Sequence, residues 1–324
     1  MGDLQFREAT LDDATFSADV QTAVFPARPT DPVIERYWWE QPDDTFVSRR
    51  WIVQRDGHDI GVAGFDHPAW APARLQVPHG DIYGDLLPDQ RDRASLQTLL
   101  AEMERRLTAD GAKRIAARAN EDDEVRIDAI VGRGFREDRR GRRWVLDLGE
   151  NRDRIERMTR QSRERMRDEG IAFVTLDRER DPEKYRKVWR MNEDAAQDVP
   201  TTLPIVEGSF EDTMRWLRSP GMHEDRFWIA RENDEVVGVS VLEYPPVRGI
   251  VGTAWTATAR RVRGRGIARA LKCETLMQAI ALGVDRVRTG NDGANDPILH
   301  INASMGYRES VGSINFLKDV PASG

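Results

Sequence analysis

The sequence Arg261-Val262-Arg263-Gly264-Arg265-Gly266-Ile267-Ala268 separates two segments with different residue patterns. The segment before it, residues 250–258 (IVGTAWTAT), is rich in β-branched and aromatic side chains and predicts a strand. The segment after it, residues 267–281, predicts a helix because its apolar residues recur at helical spacing. Gly283 follows at the position where a left-handed residue ends a helix. The quoted stretch is therefore predicted to be a turn from a strand into a helix.

Two glycines make this turn a candidate anion site. Without Cβ atoms at Gly264 and Gly266, successive backbone amides can face one point, and the helix N-terminus adds about half a positive charge. Charge-assisted hydrogen bonds are worth roughly 1.5–3 kcal/mol each, so three or four amides could anchor a diphosphate. The alternative is a turn whose glycines serve chain geometry alone.

The glycine spacing argues against two other phosphate-binding motifs. The stretch has neither the G-x-x-x-x-G-K-[ST] spacing of a P-loop nor the G-x-G-x-x-G spacing of a dinucleotide-binding fold. Nucleotide hydrolysis and hydride transfer are therefore disfavoured, and a helicase-like or kinase-like phosphate site ranks third among the interpretations.

The chain contains an internal repeat. A constant shift of 172 residues aligns residues 91–137 with residues 263–309 without a gap, with ten identities in 47 positions. Upstream of each copy lie a predicted strand and a two-strand meander, with turns at residues 55–58 and 231–235. A length of 324 residues is also typical of two domains. We therefore predict a duplicated fold of the α+β or mixed α/β class, with domains at 1–150 and 151–324.

Composition and charge disfavour several classes of function. The formal net charge is −7, and basic residues are interleaved with acidic ones, which disfavours a nucleic-acid surface. No apolar run approaches the roughly 18 residues of a membrane span, and Met1 to Thr10 lacks a signal-peptide pattern. The single cysteine, Cys273, rules out an intramolecular disulfide and a thiolate-rich metal site. We expect a cytoplasmic protein that binds no nucleic acid, membrane or metal.

The residues around the glycine turn resemble a known signature. The run R-x-x-G-x-G-I-A at 261–268, with Thr256-Ala257-Thr258 before it, is similar to the acetyl-coenzyme A signature of the GNAT superfamily of N-acetyltransferases. The resemblance continues through Lys272, Thr289-Gly290-Asn291, Asn295, Asn302 and Gly306-Tyr307, and the repeat is similar to tandem members of the superfamily. It implies two GNAT-like domains with mixed central sheets flanked by helices. It also implies acetyl-CoA as cosubstrate and acetyl transfer to the primary amine of a small molecule by direct attack in a ternary complex.

The resemblance also assigns coenzyme contacts. Strand residues would pair with the pantetheine arm, whose amides match free backbone groups, and asparagine side chains would both donate and accept hydrogen bonds. The alternative for Asn295 is a local helix cap, because Asp296-Pro297 follows it. The pyrophosphate is assigned to the amides of Val262, Arg263, Gly264, Arg265, Gly266, Ile267 and Ala268, the pantetheine to Thr256, Ala257 and Thr258, and further coenzyme contacts to Asn291, Asn295 and Asn302.

The first copy has lost these positions. Under the 172-residue shift, Asp92 replaces Gly264 and Ala94 replaces Gly266, so a carboxylate would repel a diphosphate and a Cβ would crowd it. The three asparagines also become Ala119, Asp123 and Ile130. We predict that the N-terminal half is a degenerate domain that shapes the substrate cleft and binds no coenzyme.

The catalytic residues are less well determined by the sequence. An alkylamine is only about one part in a thousand neutral at pH 7, so a general base would help. Glu243 is the first candidate, and the other carboxylates considered are Glu193, Asp194 and Asp198. Many GNAT enzymes have a tyrosine acid at the position of Asn302; here Asn302 is the predicted hydrogen-bond donor to the departing thiolate. No general acid is assigned, because Tyr244, His300 and Cys273 are better explained by packing or exposure.

The acceptor stays open at this point. The leading interpretation is a small-molecule N-acetyltransferase, and the net negative charge is compatible with a cationic acceptor such as an aminoglycoside. The alternatives are a mycothiol synthase-like acetyltransferase and a coenzyme A-binding or interaction protein without turnover. We expect a monomer or homodimer.

Overall fold

The structure is a computed structural model that describes residues 2–41, 45–73 and 75–321. Within these ranges it contains strands and helices in alternation, consistent with the predicted class. The strands are β1 (Gln5–Glu8), β2 (Phe46–Arg55), β3 (His58–Pro68), β4 (His79–Leu86), β5 (Arg114–Asn120), β6 (Arg136–Asp147), β7 (Ile171–Thr175), β8 (Phe227–Glu232), β9 (Glu235–Glu243), β10 (Gly252–Thr258), β11 (Arg286–Asp292) and β12 (Arg308–Asp319). The α-helices are α1 (Ala14–Val24), α2 (Pro32–Glu40), α3 (Trp70–Ala73), α4 (Arg93–Ala109), α5 (Glu124–Gly132), α6 (Leu148–Asp168), α7 (Lys184–Ala196), α8 (Phe210–Leu217), α9 (Ile267–Ala281) and α10 (Asp296–Met305).

The element boundaries confirm the internal repeat. Shifting β5 and β6 by 172 residues gives the boundaries of β11 and β12, and the same shift moves β4 and α4 onto β10 and α9 to within two residues. The predicted helix at 267–281 is confirmed as α9. The meander turns also have the predicted chemistry, since Asp56, Gly57 and Asn233 have φ values of 50°, 79° and 54°.

All twelve strands form one mixed sheet, with the order β1-β2-β3-β4-β5-β12-β6-β11-β10-β9-β8-β7. The pairs β4–β5 and β10–β11 are parallel, and the other pairs are antiparallel. Helices pack against the sheet, so the predicted class of mixed sheets flanked by helices is confirmed. The two copies share a single sheet instead of having one sheet each.

The two copies exchange their last strands. In a self-contained copy, β6 would pair with β5, and β12 would pair with β11. Here β12 pairs with β5, from Ser313↔Asn120 to Asp319↔Arg114, while β6 pairs with β11, from Arg286↔Asp147 to Asp292↔Gly141. The two exchanged strands pair with each other in the centre of the sheet. Main-chain hydrogen bonds therefore connect the halves.

The core follows the same exchange. Ile314 and Phe316 of β12 are 4% and 2% exposed and pack in the core of the N-terminal copy, with Leu99, Met103 and Ile115. The predicted domain boundary at residue 150 falls within helix α6, which packs on α9. Two hydrogen bonds of 2.7 Å join Arg163 of α6 to the Glu274 carboxylate of α9. The division at residue 150 stays a prediction.

Replacing Phe316 by alanine tests the strand exchange. Because Phe316 fills the N-terminal core, we expect Phe316→Ala to lower the free energy of unfolding by about 3–5 kcal/mol, the usual cost of truncating a buried phenylalanine. Chemical denaturation followed by circular dichroism measures it. Val311→Ala, on the same strand but 46% exposed, is the matched control. A loss of less than about 1 kcal/mol for Phe316→Ala would contradict the packing described here.

Candidate functional site

Strands β10 and β11 separate soon after they begin. Their only backbone pair in the described structure is Gly252↔Arg288, although β10 continues to Thr258 and β11 to Asp292. The other edge of β10 pairs with β9, with a register shift between Thr253 and Trp255. Beyond Gly252, the edge of β10 that faces β11 is therefore available to a ligand.

A cleft of ≈ 1990 Å³ extends from this opening across the centre of the sheet. The C-terminal half contributes β10, the glycine turn and the start of α9, while the N-terminal half contributes residues of the α1–α2 loop, β5 and β6. Many of the predicted coenzyme residues line this one cleft, namely Thr256, Ala257, Thr258, Val262, Arg263, Gly264, Gly266, Ile267, Ala268, Asn291 and Asn295. Arg265 and Asn302 do not line it.

The start of α9 offers unpartnered amides to the cleft. The residue before the helix is Gly266, which has no side chain to cap it. The first backbone bond of the helix runs from the Ala270 amide to the Gly266 carbonyl. Among the described residues, the amides from Gly266 to Arg269 have no acceptor, as is usual for an uncapped helix N-terminus. Four N–H groups at the positive end of a 15-residue helix suit an anion.

Both glycines of the turn have left-handed backbones. Gly264 has φ +79° and Gly266 has φ +89°. A Cβ at Gly264 would meet nothing within 4 Å, and one at Gly266 would lie 3.4 Å from an Arg165 nitrogen. The glycines are therefore required by backbone conformation more than by crowding, as the chain-geometry interpretation expects. The same conformation turns the amides toward the cleft, so the two interpretations agree here.

The arginine side chains of the turn are held by carboxylates. Arg265 bonds Glu169 and Glu232 at 2.8 and 2.7 Å, so only its backbone is available to a ligand in the cleft. Arg263 forms an ion pair of 2.6 Å with Asp198. The contacts of Arg265 lie outside the cleft, whereas Arg263 and Asp198 both line it.

The three predicted asparagines differ in their exposure to the cleft. Asn291 and Asn295 line the cleft, and the Asn295 side chain makes no helix cap, so the alternative role as a cap is not observed. Asn302 is fully buried and its amide donates to the Asn291 Oδ1 at 2.9 Å. Its own Oδ1 has no partner among the described residues. Asn302 therefore contacts a cleft residue through Asn291 and does not line the cleft itself, and its role as donor to the departing thiolate stays a prediction.

Glu243 lies at the end of the cleft distant from the glycine turn. It ends β9, where it pairs in register with Gly252. Burial raises the pKa of Glu243, the nearby Asp31 carboxylate raises it further, and Arg288 opposes both effects. A raised pKa brings a carboxylate closer to the range in which a general base works at neutral pH.

The other candidate carboxylates are engaged elsewhere. Arg260 binds both Asp194 and Asp198, and the arginine partners lower the pKa of Asp198 to about 2. Glu193 accepts a 2.7 Å hydrogen bond from the Gly208 amide and does not line the cleft. Glu243 is therefore the candidate base best placed by geometry.

The remaining residues considered from sequence have separate environments. Tyr244 is 9% exposed, lies under the Arg226 guanidinium and does not line the cleft. His300 is exposed at the cleft wall. Cys273 is 1% exposed, and burial raises the pKa of its thiol. None of them is paired as a catalytic group.

Sequence reasoning missed the environment of Lys272. This side chain is 2% exposed, lines the cleft and lies 5.2 Å from the centre of the Tyr307 ring. No carboxylate pairs with it among the described residues, and burial lowers its pKa to about 8. The sequence indicates this burial only through the position of Lys272, which directly follows Leu271 on the apolar face of the predicted helix.

The equivalent turn in the N-terminal half is closed. Asp92 caps α4 by accepting a 2.8 Å hydrogen bond from the Ser95 amide, so a carboxylate already satisfies this helix start. Asp123, at the position of Asn295, is paired with Arg91. Both observations support the prediction that this half binds no coenzyme.

Comparisons with known proteins agree with this geometry. Residues 188–307 match the acetyltransferase (GNAT) family, a range that includes every predicted coenzyme residue. A tandem GNAT protein from the clavulanic acid biosynthesis pathway, solved without acetyl-CoA, has 16% identity and a TM-score of 0.74, with 99% of this chain and 100% of that chain covered. Residues 188–307 therefore match the GNAT acetyltransferase family, and the chain as a whole has the fold of that tandem GNAT protein.

Other solved structures share this tandem GNAT fold. A GCN5-related N-acetyltransferase from Sphaerobacter thermophilus has 17% identity and a TM-score of 0.68, over 98% of this chain and 95% of that one. A glucosamine N-acetyltransferase region of a fungal multi-domain β-N-acetylglucosaminidase has 13% identity and a TM-score of 0.68, over 98% of this chain and 38% of that one. At these identities the likeness concerns the fold. No curated protein matches the sequence.

Two further features concern ligands and membranes. In the part of the chain that the structure describes, no group of three or more His, Cys, Asp or Glu side chains is arranged to hold a metal ion. Among the described helices, none is long and apolar enough to cross a bilayer.

The buried charge of Lys272 predicts a pH dependence of stability. Its pKa is about 8 in the fold and 10.5 without burial, so the folded protein binds fewer protons than the unfolded chain between these values. Stability therefore rises with pH through this window. We expect Lys272→Met to be more stable than the wild type by about 3 kcal/mol at pH 7, with the difference lost above pH 10.5.

Denaturation of both proteins at matched pH values measures this difference. Thr275→Val, which changes a buried residue of the same helix that does not titrate, is the control. A stability difference that stays constant from pH 7 to 10.5 would show that Lys272 does not titrate as described.

Proposed function

We propose that this tandem GNAT protein is an N-acetyltransferase that moves an acetyl group from acetyl-CoA to the primary amine of a small molecule. The observation that carries the proposal is the uncapped start of α9, placed directly after a strand whose neighbour has separated from it. In the proposal, the C-terminal half alone binds the coenzyme, and the N-terminal half completes the acceptor side of the cleft.

The cleft has room for an extended coenzyme arm along β10. The amides of Gly266, Ile267 and Ala268 would hold the pyrophosphate, and the open edge of β10 would pair with the pantetheine. From Thr258 back to Gly252, six strand steps cover about 20 Å. This path brings the thioester toward Gly252, which is in register with Glu243. The pyrophosphate and the proposed base thus lie at opposite ends of one strand.

The proposed chemistry is direct transfer. The amine nitrogen forms a bond to the acetyl carbon, the carbon–sulfur bond breaks, and coenzyme A leaves as a thiolate. Glu243 accepts the proton that the amine loses, directly or through one water, and its raised pKa suits this role. Asn302 donates to Asn291 and stays the predicted hydrogen-bond donor to the departing thiolate.

Replacing Glu243 by glutamine tests the proposed base. We expect Glu243→Gln to lower kcat by roughly 10²- to 10⁴-fold, the usual contribution of a general base, while the affinity for CoA is unchanged. Release of free thiol from acetyl-CoA in the presence of amines measures turnover, and calorimetry measures CoA binding. Glu235→Gln, at the exposed start of the same strand, is the matched control. Unchanged turnover in Glu243→Gln would exclude Glu243 as the base.

A charge at position 264 tests the pyrophosphate site. Aspartate and asparagine at position 264 are strained by the left-handed backbone to a similar extent, and neither side chain would be crowded, because the space around Gly264 is open. We expect Gly264→Asp to weaken CoA binding by roughly tenfold or more, about 1.4 kcal/mol, whereas the isosteric Gly264→Asn loses much less because it adds no negative charge. Titration calorimetry of both variants separates charge from strain. Equal losses in the two variants would place the pyrophosphate elsewhere.

A further inference from the structure

We propose that the acceptor of this enzyme is an amine that also carries an anionic group, a carboxylate or a phosphate, which is bound by Arg28, Arg118, Arg143 and Arg288. This inference rests on the proposed acetyltransferase function and specifies its substrate class. It departs from the cationic acceptor expected from net charge.

The arginines project from one face of the sheet and one adjacent loop. Arg288 of β11 is in register with Gly252 of β10, which is in register with Glu243 of β9, so these three positions share a face. Arg143 of β6 is in register with Gly290 of β11, two residues from Arg288, and so lies on the same face. Arg143 donates to the Asn120 Oδ1 at 2.5 Å, two residues along β5 from Arg118.

Glycines and short polar residues leave this face open. Gly141, Gly252 and Gly290 have no side chains to fill the floor of the cleft, and Ser313 and Asn315 of the exchanged strand β12 are short. Arg28 lies above this floor in the α1–α2 loop and lines the same cleft. The strand exchange is what places Arg118 of the N-terminal copy and Arg288 of the C-terminal copy in one site.

The side chain of Arg288 lies over Gly252. A Cβ added at Gly252 would lie 3.0 Å from the Arg288 Cγ and 3.2 Å from its Nε. Arg288 therefore extends across the glycine position that separates it from Glu243. The Arg288 Nε donates to the Ile250 carbonyl at 3.2 Å, so the rest of its guanidinium is available to the cleft. An anion bound here would lie beside the proposed base.

None of the four arginines has an ion-pair partner among the described residues. Removal from solvent and repulsion from Arg143, Arg288 and Arg118 lower the pKa of Arg28, and burial with repulsion from Arg118 and Arg288 lowers that of Arg143. The cleft as a whole is lined by ten Lys or Arg and seven Asp or Glu residues, although the chain has a net charge of −7. Carboxylates do lie near the cluster, with Glu121 and Asp122 acting on Arg143 and Glu243 acting on Arg288, but burial, and for Arg143 also repulsion, outweighs them and the pKa of both arginines is still lowered. Four guanidinium groups without an ion-pair partner in the described ranges suit an anionic ligand.

The chemistry of the site also selects the ligand class. A guanidinium group binds carboxylate and phosphate oxygens through two parallel N–H donors. A cationic acceptor would meet repulsion from all four groups, whereas an amine with an anionic substituent places its negative end among the arginines and its amine near Glu243. The local charge of the cleft, and not the net charge of the chain, determines which acceptor is attracted.

The first test compares matched acceptors. Turnover of acetyl-CoA is measured by thiol release with β-alanine against its methyl ester, 2-aminoethyl phosphate against ethanolamine, and glucosamine 6-phosphate against glucosamine, with spermidine as the cationic probe. We expect kcat/KM to be at least tenfold higher for the anionic member of a reactive pair. The carboxylate and phosphate arms show which anion the site prefers.

Arginine variants assign the preference to this site. Arg118→Gln and Arg143→Gln are expected to reduce the preference for the anionic member at least fivefold and leave the KM for acetyl-CoA unchanged. Arg136→Gln, an exposed position on the same strand as Arg143, is the control. A preference that survives in both variants, or equal turnover of the two members of every reactive pair, would overturn the inference while leaving the acetyltransferase function intact.

A binding measurement covers the case in which no probe turns over. With CoA saturating, so that the amides of α9 are occupied, inorganic phosphate and β-alanine are titrated in a thermal-shift assay. Stabilisation of the wild type that is lost in the Arg118→Gln, Arg143→Gln double variant supports the anion site, even if the proposed transferase function fails. Equal shifts in both proteins would overturn it.

Discussion

Backbone pairing from β5 through β12 and β6 to β11 is the constraint on which the rest of this molecule depends. Each copy supplies a last strand that the other copy needs to complete its sheet. The halves therefore cannot be separated without breaking three rows of main-chain hydrogen bonds and exposing the Phe316 side chain. A binding surface that crosses both halves is rigid as a result, which is the condition for placing two substrates in a defined relative position.

The same sheet is interrupted at the place where the coenzyme is proposed to bind. Strands β10 and β11 share one backbone pair and then separate. Helix α9 begins beyond the other end of β10, after the glycine turn. The copies diverged at the equivalent point: Gly266 leaves α9 uncapped, whereas Asp92 caps α4. The Asp92 carboxylate thus satisfies the helix start of the N-terminal half internally, whereas the start of α9 is the one proposed to bind an external anion. One half can then specialise in coenzyme and the other in acceptor binding.

The sequence predicted the local elements well, because periodicity and glycine positions report local conformation. The boundaries of α9 and the left-handed backbone of Gly283, which has φ +76°, follow from such patterns. The strand exchange did not, since the hydrophobic pattern of β12 is the same whether it pairs with β11 or with β5. Arg28, Arg118, Arg143 and Arg288 lie up to 260 residues apart in the sequence, so only the fold unites them. Net charge averages over the whole surface, so it gives no information on the local charge of the cleft from which the anionic acceptor is proposed.

A crystal structure of the protein soaked with acetyl-CoA would locate the coenzyme. We expect one coenzyme molecule for each chain, with its pyrophosphate oxygens within hydrogen-bonding distance of the Gly266, Ile267 and Ala268 amides and its arm along β10 toward Gly252. Coenzyme bound at the Asp92 helix start of the N-terminal half, or density at neither helix, would contradict this expectation.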